Sequence, residues 1–478
     1  MTRATLTRWL PAAAAAASLA CQAPPSARPI PDGQIYFPTG MFFAHPAAAP
    51  ETAGSLFVAS SNFDRRYTNG RIAGIDVTSL GLPAFPAPLV TDPANIPSIT
   101  SLGINDLNQK EIASLAGEID GIETAPGVFR LIVPSRAEGS PLQLMDFADG
   151  AITCLGEPGS GDCSVGAPSL EYNRLTSTGV PRAPAPFSVS ISKLPDDPAF
   201  PNRHRGDTFV TSLQPADSPA ASATNLAVYT VKLDALDPNV TNDSFLNLGL
   251  IRTESVRMGS RYVFMTGAQS LELRLIDRDS IQKDPVTGIV NYKLFNAQVE
   301  ANVNTLDTRG LDVSSDEKEV FVLSRNPDAL LAMSARGTDT ATPVLSLTHV
   351  ELLPLGASAV RALDKPSGGR VVFVTCLGTQ SYDATGQAQG SLIVFDSEAG
   401  QPVATLTGFG FAPYGLAVQT IGQGARLYVG LFGEGRIAVV DVPNLENPED
   451  IRLVARLGTY DVCTINPGSR GCTNPSSP

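Results

Sequence analysis

The sequence predicts an all-β protein that closes into a seven-bladed β-propeller. Three features predict this fold: a strand–turn–strand unit recurs along the chain, a Pro-x-Gly strand precedes several copies, and the composition suits turn-rich sheets. The chain has 42 Gly and 39 Pro, whereas charged residues make up only 17%. Because four short strands in a meander form one propeller blade, each unit is expected to be one blade.

The first element is an export signal. Residues 1–20 carry Arg3 and Arg8, followed from Trp9 by an apolar stretch dominated by alanine. This stretch is too short to span a membrane in the mature protein, and small residues follow it as a cleavage site requires. We therefore expect residues 1–20 to be a signal peptide.

The next element is a lipid anchor with its tether. Ser18-Leu-Ala-Cys21 resembles the lipobox of bacterial lipoproteins. The resemblance implies that Cys21 is lipidated and becomes the new amino terminus; simple cleavage after Ala20 is the alternative. Gln22 stands where an aspartate would imply inner-membrane retention, so an outer-membrane lipoprotein, periplasmic or surface-facing, is expected. Residues 21–33, rich in Pro and Ala, are predicted to be the tether.

Residues 34–460 carry the repeat and are predicted to be the propeller. The clearest copy runs from Gly424 to Asp441, with one apolar strand, a glycine turn and a second apolar strand closed by an aspartate. The mean spacing of about 62 residues exceeds the roughly 40 to 50 of compact propeller repeats, so the surplus is expected in loops. Degraded units leave six or eight blades as alternatives. The second strands of the seven units begin near Leu56, Phe129, Phe209, Tyr262, Val320, Val371 and Leu427.

The three strand types together resemble a known family. A Pro-x-Gly strand such as Pro413-Tyr-Gly, then Leu427-Tyr-Val, then Ile437-Ala-Val-Val-Asp441 is similar to the YVTN-repeat, YncE-like family of bacterial seven-bladed β-propellers. The resemblance covers nearly all of the mature chain. It implies seven blades, and it implies a lactonase-like or related hydrolase as one functional alternative, because some members have that activity.

Aspartates recur at the end of the third strand of the units. At such a position Asp accepts hydrogen bonds from the backbone of the turn that follows, and Ser or Thr can replace it. We therefore interpret them as turn residues and not as a metal or acid–base ring. The positions are Asp76, Asp146, Asp277, Asp396 and Asp441, with Thr230 and Ser334 as the replacements.

Two pairs of cysteines are candidates for disulfides. Cys154 and Cys163 are nine residues apart, as are Cys463 and Cys472, and an exported chain favours such local bridges. Metal binding is the alternative, which the absence of Cys-x-x-Cys and of nearby histidine disfavours. The second pair lies in residues 461–478, predicted to be a C-terminal disulfide loop and tail. Cys376 occupies a strand position where other units carry small residues, so it is expected to be a buried, inert thiol.

The composition also limits the function. A net charge of −13 disfavours nucleic acid as a partner, because phosphate binding needs a basic face. His45, His204 and His349 fall in different units, and the sequence contains no haem, phosphate-loop or EF-hand motif, so no cofactor and no metal site are expected. The oligomeric state stays open.

The remaining candidate is a surface for binding. In a propeller the loops between second and third strands surround one mouth of the central channel, and Tyr and Arg are residue types that anchor interfaces. The binding-face candidates are Asn62, Arg65, Arg66, Tyr67, Arg136, Glu138, Gln214, Arg325, Asn326, Gln380 and Tyr382.

We therefore predict a lipid-anchored propeller of the cell envelope that binds or scaffolds a protein or glycan, without catalysis. A purely structural envelope protein is a further alternative. The hydrolase alternative would place a site at the channel mouth, with Glu118, Asp120, Arg136 and Arg325 as catalytic candidates.

Overall fold

Seven antiparallel sheets follow one another along the chain and form a ring, which confirms the predicted seven-bladed β-propeller. Residues Pro448–Asp450 form a short 3-10 turn. The computed structural model describes residues 30–63, 67–90, 92, 95–137, 141–168, 185–213, 229–237, 244–247, 253–267, 272–284, 290–298, 307–378 and 389–460.

The first four blades are meanders in which each strand pairs with the next along the chain, except that strand β4 (Ser98–Ile99), which lies between β3 and β5 in sequence, pairs with blade 7. Blade 1 contains β1 (Pro38–Ala44), β2 (Ser55–Ser60), β3 (Gly70–Asp76) and β5 (Gln109–Ile112). Blade 2 contains β6 (Asp120–Ala125), β7 (Val128–Pro134), β8 (Leu142–Ala148) and β9 (Ala151–Cys154). Blade 3 contains β10 (Pro186–Ile191), β11 (Asp207–Ser212), β12 (Tyr229–Asp234) and β13 (Ser244–Asn247). Blade 4 contains β14 (Thr253–Met258), β15 (Tyr262–Gly267), β16 (Glu272–Lys283) and β17 (Val290–Gln298).

The last three blades repeat the same meander, and blade 7 gains a fifth strand. Blade 5 contains β18 (Asp307–Val313), β19 (Glu319–Arg325), β20 (Ala329–Arg336) and β21 (Val344–Leu352). Blade 6 contains β22 (Ala357–Asp364), β23 (Arg370–Cys376), β24 (Gln389–Asp396) and β25 (Gln401–Phe411). Blade 7 contains β26 (Pro413–Ile421), β27 (Gly424–Leu431), β28 (Arg436–Val442) and β29 (Arg452–Leu457), followed by β4 (Ser98–Ile99) at its outer edge.

The second strands are apolar on both faces because each blade packs between two neighbours. Every residue of β23 and β27 is buried, which explains why their sequences read as continuous apolar runs without alternation. The outer strand β21 instead alternates between half-buried and exposed residues, since one of its faces meets water. The core is therefore divided into clusters that lie between adjacent blades.

Blade 3 corrects one detail of the sequence analysis. The third strand there ends at Asp234, not at Thr230, because Asp234 pairs with Asp207 at the end of the neighbouring strand. Its carboxylate accepts a hydrogen bond from the backbone N–H of Leu236 at 2.8 Å, which is the turn role predicted for the recurring aspartates.

The described part of residues 77–108 (77–90, 92 and 95–108), called here the clasp, contacts both blade 1 and blade 7. Within the clasp, β4 pairs in parallel with β29, so that Ser98 lies opposite Arg456 and Ile99 opposite Leu457. The buried side chain of Leu102 joins the apolar cluster between the two blades. The first strand of blade 1 also packs against the first strand of blade 7, and the clasp therefore reinforces the seam at which the ring closes.

Candidate functional site

The central channel is lined by the first strand of each blade. These strands, β1, β6, β10, β14, β18, β22 and β26, lie next to one another around the axis and all run in the same sense through the ring. Their amino-terminal ends therefore gather at one mouth and their carboxyl-terminal ends at the other. The loops that follow the second strands project at the first of these mouths, because the second strands run antiparallel to the first.

One register position in the first strands carries an unusual set of residues. In six blades this position pairs with a Phe or Tyr of the second strand, for example Arg361 with Phe373 and Asp312 with Phe321, and in blade 2 it pairs with Leu131. Blades 4, 5 and 6 contribute Arg, Asp and Arg in succession. The full set is Phe42, Gly121, Ser190, Arg257, Asp312, Arg361 and Ala417.

Ion pairs join one of these residues, Arg257, to Asp312 and to Glu118 at one level of the channel, and this layer with Arg361 is called here the waist. The Arg257 guanidinium lies 3.1 Å from a Glu118 oxygen and 3.4 Å from an Asp312 oxygen. The Ser188 hydroxyl donates a hydrogen bond to Glu118 at 2.7 Å, and Asp312 accepts one from the backbone N–H of Ala362 at 2.8 Å. The waist is therefore a charged layer whose members hold one another in place.

Burial and the neighbouring charges shift the pKa of Glu118 in opposite directions. Burial alone would raise the pKa of Glu118, but Arg257 and Arg361 beside it hold that pKa below its usual range, so the carboxylate is ionised at neutral pH. Burial, and next Arg257, lower the pKa of the Arg361 guanidinium. Arg361 donates to the backbone carbonyl of Val360 at 2.8 Å. The positive charge of Arg361 is consequently less well neutralised than that of Arg257.

The waist separates two cavities that open at opposite mouths. One, of about 460 Å³, lies among the amino-terminal ends of the first strands and is called here the mouth cavity. The other, of about 610 Å³, lies among their carboxyl-terminal ends and is called the opposite cavity. The residues that line both cavities, and so divide them, are Met41, Glu118, Arg361 and Leu416.

The mouth cavity combines cationic and apolar groups. Its charged lining residues are four arginines, Arg136, Arg309, Arg325 and Arg361, and two glutamates, Glu118 and Glu254. Arg309 forms an ion pair with Glu254, and Glu118 is held by Arg257 from the waist. In a chain with a net charge of −13, this cavity is locally positive.

Aromatic rings form one side of the mouth. The ring of Phe432 has its centroid 5.0 Å from that of Phe37, 5.5 Å from Phe63 and 5.9 Å from Tyr414. Phe63 is 53% exposed although it is a large apolar residue, so this cluster presents an aromatic surface to solvent. Burial, and next Glu254, raise the pKa of Tyr414, which keeps its hydroxyl protonated as a hydrogen-bond donor.

The opposite cavity has a different character. Lys193 lies 2.9 Å from Asp120 and also sits over the ring of Phe42, 5.0 Å from its centroid. Asp120 also accepts a hydrogen bond from the backbone N–H of Ile191 at 2.8 Å. Lys193 and Asp120 of the opposite cavity are therefore joined to each other as an ion pair.

The structure distributes the predicted binding-face residues as follows. Arg136 and Arg325 line the mouth cavity, and Asn326 is exposed in the turn after β19. Asn62 is buried, and its amide bonds to both backbone polar groups of Tyr67, so it holds the loop together. Arg65, Arg66, Glu138, Gln214, Gln380 and Tyr382 lie outside the described residues.

The four catalytic candidates are divided between the two cavities. Glu118, Arg136 and Arg325 line the mouth cavity, whereas Asp120 lines the opposite one. Glu118 is ionised and paired with Arg257, so it is poorly suited to donate a proton as a general acid.

The cysteines follow the predicted pattern where the structure describes them. Cys154 and Cys163 form a disulfide, which confirms that pair, while Cys21, Cys463 and Cys472 lie outside the described residues. Cys376 is fully buried, and burial raises the pKa of its thiol to about 12. It therefore carries little thiolate at neutral pH.

The described residues contain neither a metal-binding cluster nor a membrane-spanning helix. In this part of the chain no three His, Cys, Asp or Glu side chains gather into a group that could hold a metal ion. The same residues include no helix with the length and apolar character needed to cross a bilayer.

Comparison with known proteins finds similarity only to solved structures of low sequence identity. No family model and no curated protein sequence matches this chain. Among solved structures, it is similar to the Cps50 (Swd1) β-propeller domain of Myceliophteria thermophila, with 11% identity, a TM-score of 0.47, and coverage of 86% of this chain and 96% of that one. It is also similar to a functionally unknown protein of Desulfotomaculum acetoxidans (10% identity, TM-score 0.44, 82% and 92% covered). Hydrazine synthase of Kuenenia stuttgartiensis is a third (12% identity, TM-score 0.40, 69% and 83% covered).

The sequence analysis missed the first-strand residues Arg257, Asp312 and Arg361. A signal for them exists, because Ser255-Val-Arg257 and Ala359-Val-Arg361 occupy the same position in the first strands of blades 4 and 6. An alignment of the first strands places Arg257, Asp312 and Arg361 at one position, which corresponds to one level of the channel.

Proposed function

We propose that this chain is a binding module of the cell envelope, held there by lipid on Cys21, that recognises a protein or glycan partner at the mouth cavity. The supporting observation is that cavity itself. A concave site of about 460 Å³ with apolar walls and a few convergent charged groups has the size and chemistry of a ligand pocket. Arg136, which follows β7, and Arg325, the last residue of β19, both line it.

Saturation-transfer NMR with a chemically diverse fragment mixture tests where binding occurs. Leu377→Trp places a large ring in the lining of the mouth cavity, and Val418→Trp does the same in the opposite cavity as the matched control. We expect fragment signals to be lost in the first variant and kept in the second. Signals that survive Leu377→Trp and disappear in Val418→Trp would move the site to the other mouth.

Mass spectrometry of the mature protein tests the anchor. Lipid on Cys21 as the first residue is the expected result. An unmodified Cys21, or a mature chain that starts elsewhere, would remove the anchor from the proposal and leave the binding site unaffected.

A hydrolase is the second candidate, because Glu118, Arg136 and Arg325 share the mouth cavity. The ion pair between Glu118 and Arg257 argues against it, since the carboxylate would have to leave that pair to act on a substrate. A panel of lactones and esters provides the test. Hydrolysis by the purified protein that Glu118→Gln abolishes would promote the hydrolase over the binding module.

A further inference from the structure

Two of the cationic groups in the mouth cavity, Arg325 and Arg361, form no direct ion pair with a carboxylate of the described chain, although Glu118 lies near Arg361. Arg325 donates through Nε to the backbone carbonyl of Ala357 at 3.2 Å, and Arg361 donates to that of Val360 at 2.8 Å. Their remaining N–H groups are available for an acceptor from outside. A guanidinium offers paired donors that match a carboxylate, so an anionic group entering the cavity would find a suitable partner.

The walls around these arginines are apolar. Phe63, Phe187, Tyr414 and Phe432 contribute aromatic rings, and the aliphatic lining residues include Leu213 and Leu377. Arg136 lies over the ring of Phe187, 5.3 Å from its centroid, which holds that cation against the wall. A ligand for this cavity therefore needs an apolar body as well as an anionic end.

The neutral polar groups of the lining are few. No Asn, Gln or Asp is found among the described lining residues, and Thr39 and Ser358 already donate to backbone carbonyls of Ala116 and Thr375. Ser255 and Tyr414 are the exceptions, since the hydroxyl of Ser255 is buried without a hydrogen-bond partner in the described chain and that of Tyr414 stays protonated as a donor. A sugar ring carries several hydroxyl groups, and burying them here would leave most of them without partners, which is costly. This lining disfavours a neutral glycan.

We propose that the mouth cavity binds an apolar carboxylate, in which Arg325 and Arg361 hold the carboxylate and the aromatic walls hold the body. The same chemistry is offered by a free aryl or alkyl carboxylic acid and by the carboxy terminus of a polypeptide that ends in an apolar residue. Because the waist residues Glu118 and Arg361 lie at the inner end of the cavity, the ligand is expected to enter from the mouth. This inference rests on the proposed function, and it narrows the partner away from a neutral glycan.

Isothermal titration of the purified mature chain tests the inference with defined probes. The free-ligand arm compares 3-phenylpropanoate with its neutral amide, and the peptide arm compares acetyl-Gly-Gly-Phe as free acid and as carboxamide. A hydrogen-bonded charge contributes about 1.5 to 3 kcal/mol, so we expect each acid to bind about tenfold or more tightly than its amide. Whichever acid binds more tightly identifies the source of the ligand.

Variants show whether the named arginines are responsible. Arg325→Met and Arg361→Met keep an unbranched apolar stem and remove the charge, and each is expected to weaken binding of the acid about tenfold and to leave binding of the amide unchanged. Lys193→Met in the opposite cavity is the matched control and should bind the acid normally. Circular dichroism and the unfolding midpoint of each variant confirm that it is folded.

Several results would overturn the inference. Equal affinity for acid and amide, or acid binding that survives both arginine variants, would mean that charge is not recognised. Binding of a neutral oligosaccharide in competition with the fragments, or no binding of any acid at millimolar concentration, would also reject it. In each of these cases the loss of fragment binding in Leu377→Trp would still support a binding site at the mouth, so the two proposals fail separately.

Discussion

Asp441 shows how one side chain at the end of a third strand can do more than stabilise a turn. Its two carboxylate oxygens accept from Arg426 at 2.7 and 2.9 Å, and one also accepts from the backbone N–H of Ala87 in the clasp at 3.0 Å. Arg130 with Asp146, and Arg261 with Asp277, repeat the bidentate pair in other blades. Asp146, Asp277 and Asp441 thus have an ion-pair role that was not predicted from the sequence.

Replacing Asp441 should therefore be far more damaging than replacing its counterpart in blade 1. Asp441→Asn leaves the buried Arg426 without an anionic partner, and we expect it to lower the free energy of unfolding by about 3 to 5 kcal/mol. Asp76→Asn is the matched control, because Asp76 is exposed and accepts only from the turn at Thr78; we expect a change within about 0.5 kcal/mol. Urea unfolding followed by fluorescence measures both. Similar losses in the two variants would contradict the ion-pair role.

The Glu118 carboxylate predicts a pH dependence of stability. Its pKa is lower in the folded chain than in the unfolded one, so the stability it contributes is present above about pH 4.5 and is lost as the pH falls through the folded pKa. Glu118→Gln should lower the free energy of unfolding by about 1.5 to 3 kcal/mol at pH 7, and its difference from the wild type should shrink in acid. Exposed Glu449→Gln is the control. A difference that grows as the pH falls would show that the sign is wrong.

The thiols give a separate chemical prediction. Cys376 is fully buried with its pKa raised to about 12, so iodoacetamide should not label it in the native protein. In guanidinium without reductant it should be labelled, while Cys154 and Cys163 should require a reductant because they are joined. Peptide mass spectrometry reads out each site. Labelling of Cys154 before reduction would contradict the disulfide, and the same experiment tests the predicted pair Cys463 and Cys472.

At the scale of the strand, the sequence predicted those features that depend on residues close together in the chain. The second strands β23 and β27 are continuous apolar runs bounded by turns, so their positions follow from composition and spacing. The waist was not predictable in the same way, because Glu118 and Arg257 are 139 residues apart and meet only after the ring closes. Arg136 and Arg325 were predicted from loop position alone, and the structure places both on one cavity.

The clasp was also missed, for a related physical reason. It joins blades 1 and 7, and its Pro-rich sequence shows no regular strand pattern of its own. The two-residue strand β4 depends on its partner for hydrogen bonds, as when Arg456 donates its backbone N–H to the carbonyl of Pro97. Because β4 forms only by pairing with a strand far away in the sequence, its own residues give little indication of a strand.

The burial of Leu102 predicts that this one leucine stabilises the seam between blades 1 and 7. Leu102 is 3% exposed among residues of both blades, so Leu102→Ala should lower the free energy of unfolding by about 2 to 4 kcal/mol. Hydrogen exchange should increase most in β29, next to the clasp. Leu107→Ala is the matched control because Leu107, in the same segment, is 65% exposed. Uniform acceleration of exchange in all seven blades would contradict a local role for the clasp.

At the scale of the whole molecule, the chain enters the propeller beside the mouth cavity. Ile30, Tyr36 and Phe37 are buried in one cluster with Tyr67 and Phe432, and Phe432 lines that cavity. Ile30 is nine positions after Cys21, and a fully extended chain spans at most about 32 Å over that distance. If Cys21 is lipidated as proposed, the mouth cavity is therefore held near the membrane and turned towards it.

Energy transfer from liposomes tests this orientation. Asn326→Cys places a fluorophore in an exposed turn at the mouth, and Lys318→Cys places one between β18 and β19 at the other end of the ring, where the lysine side chain is 75% exposed. On lipidated protein, transfer to an acceptor dye in the bilayer should be stronger from the mouth label, because energy transfer falls steeply with distance. Unlipidated Cys21→Ser protein is the control for transfer that does not depend on the anchor. Equal transfer from the two labels would show that the tether leaves the ring free to rotate, and stronger transfer from Lys318→Cys would show that the mouth faces away from the membrane.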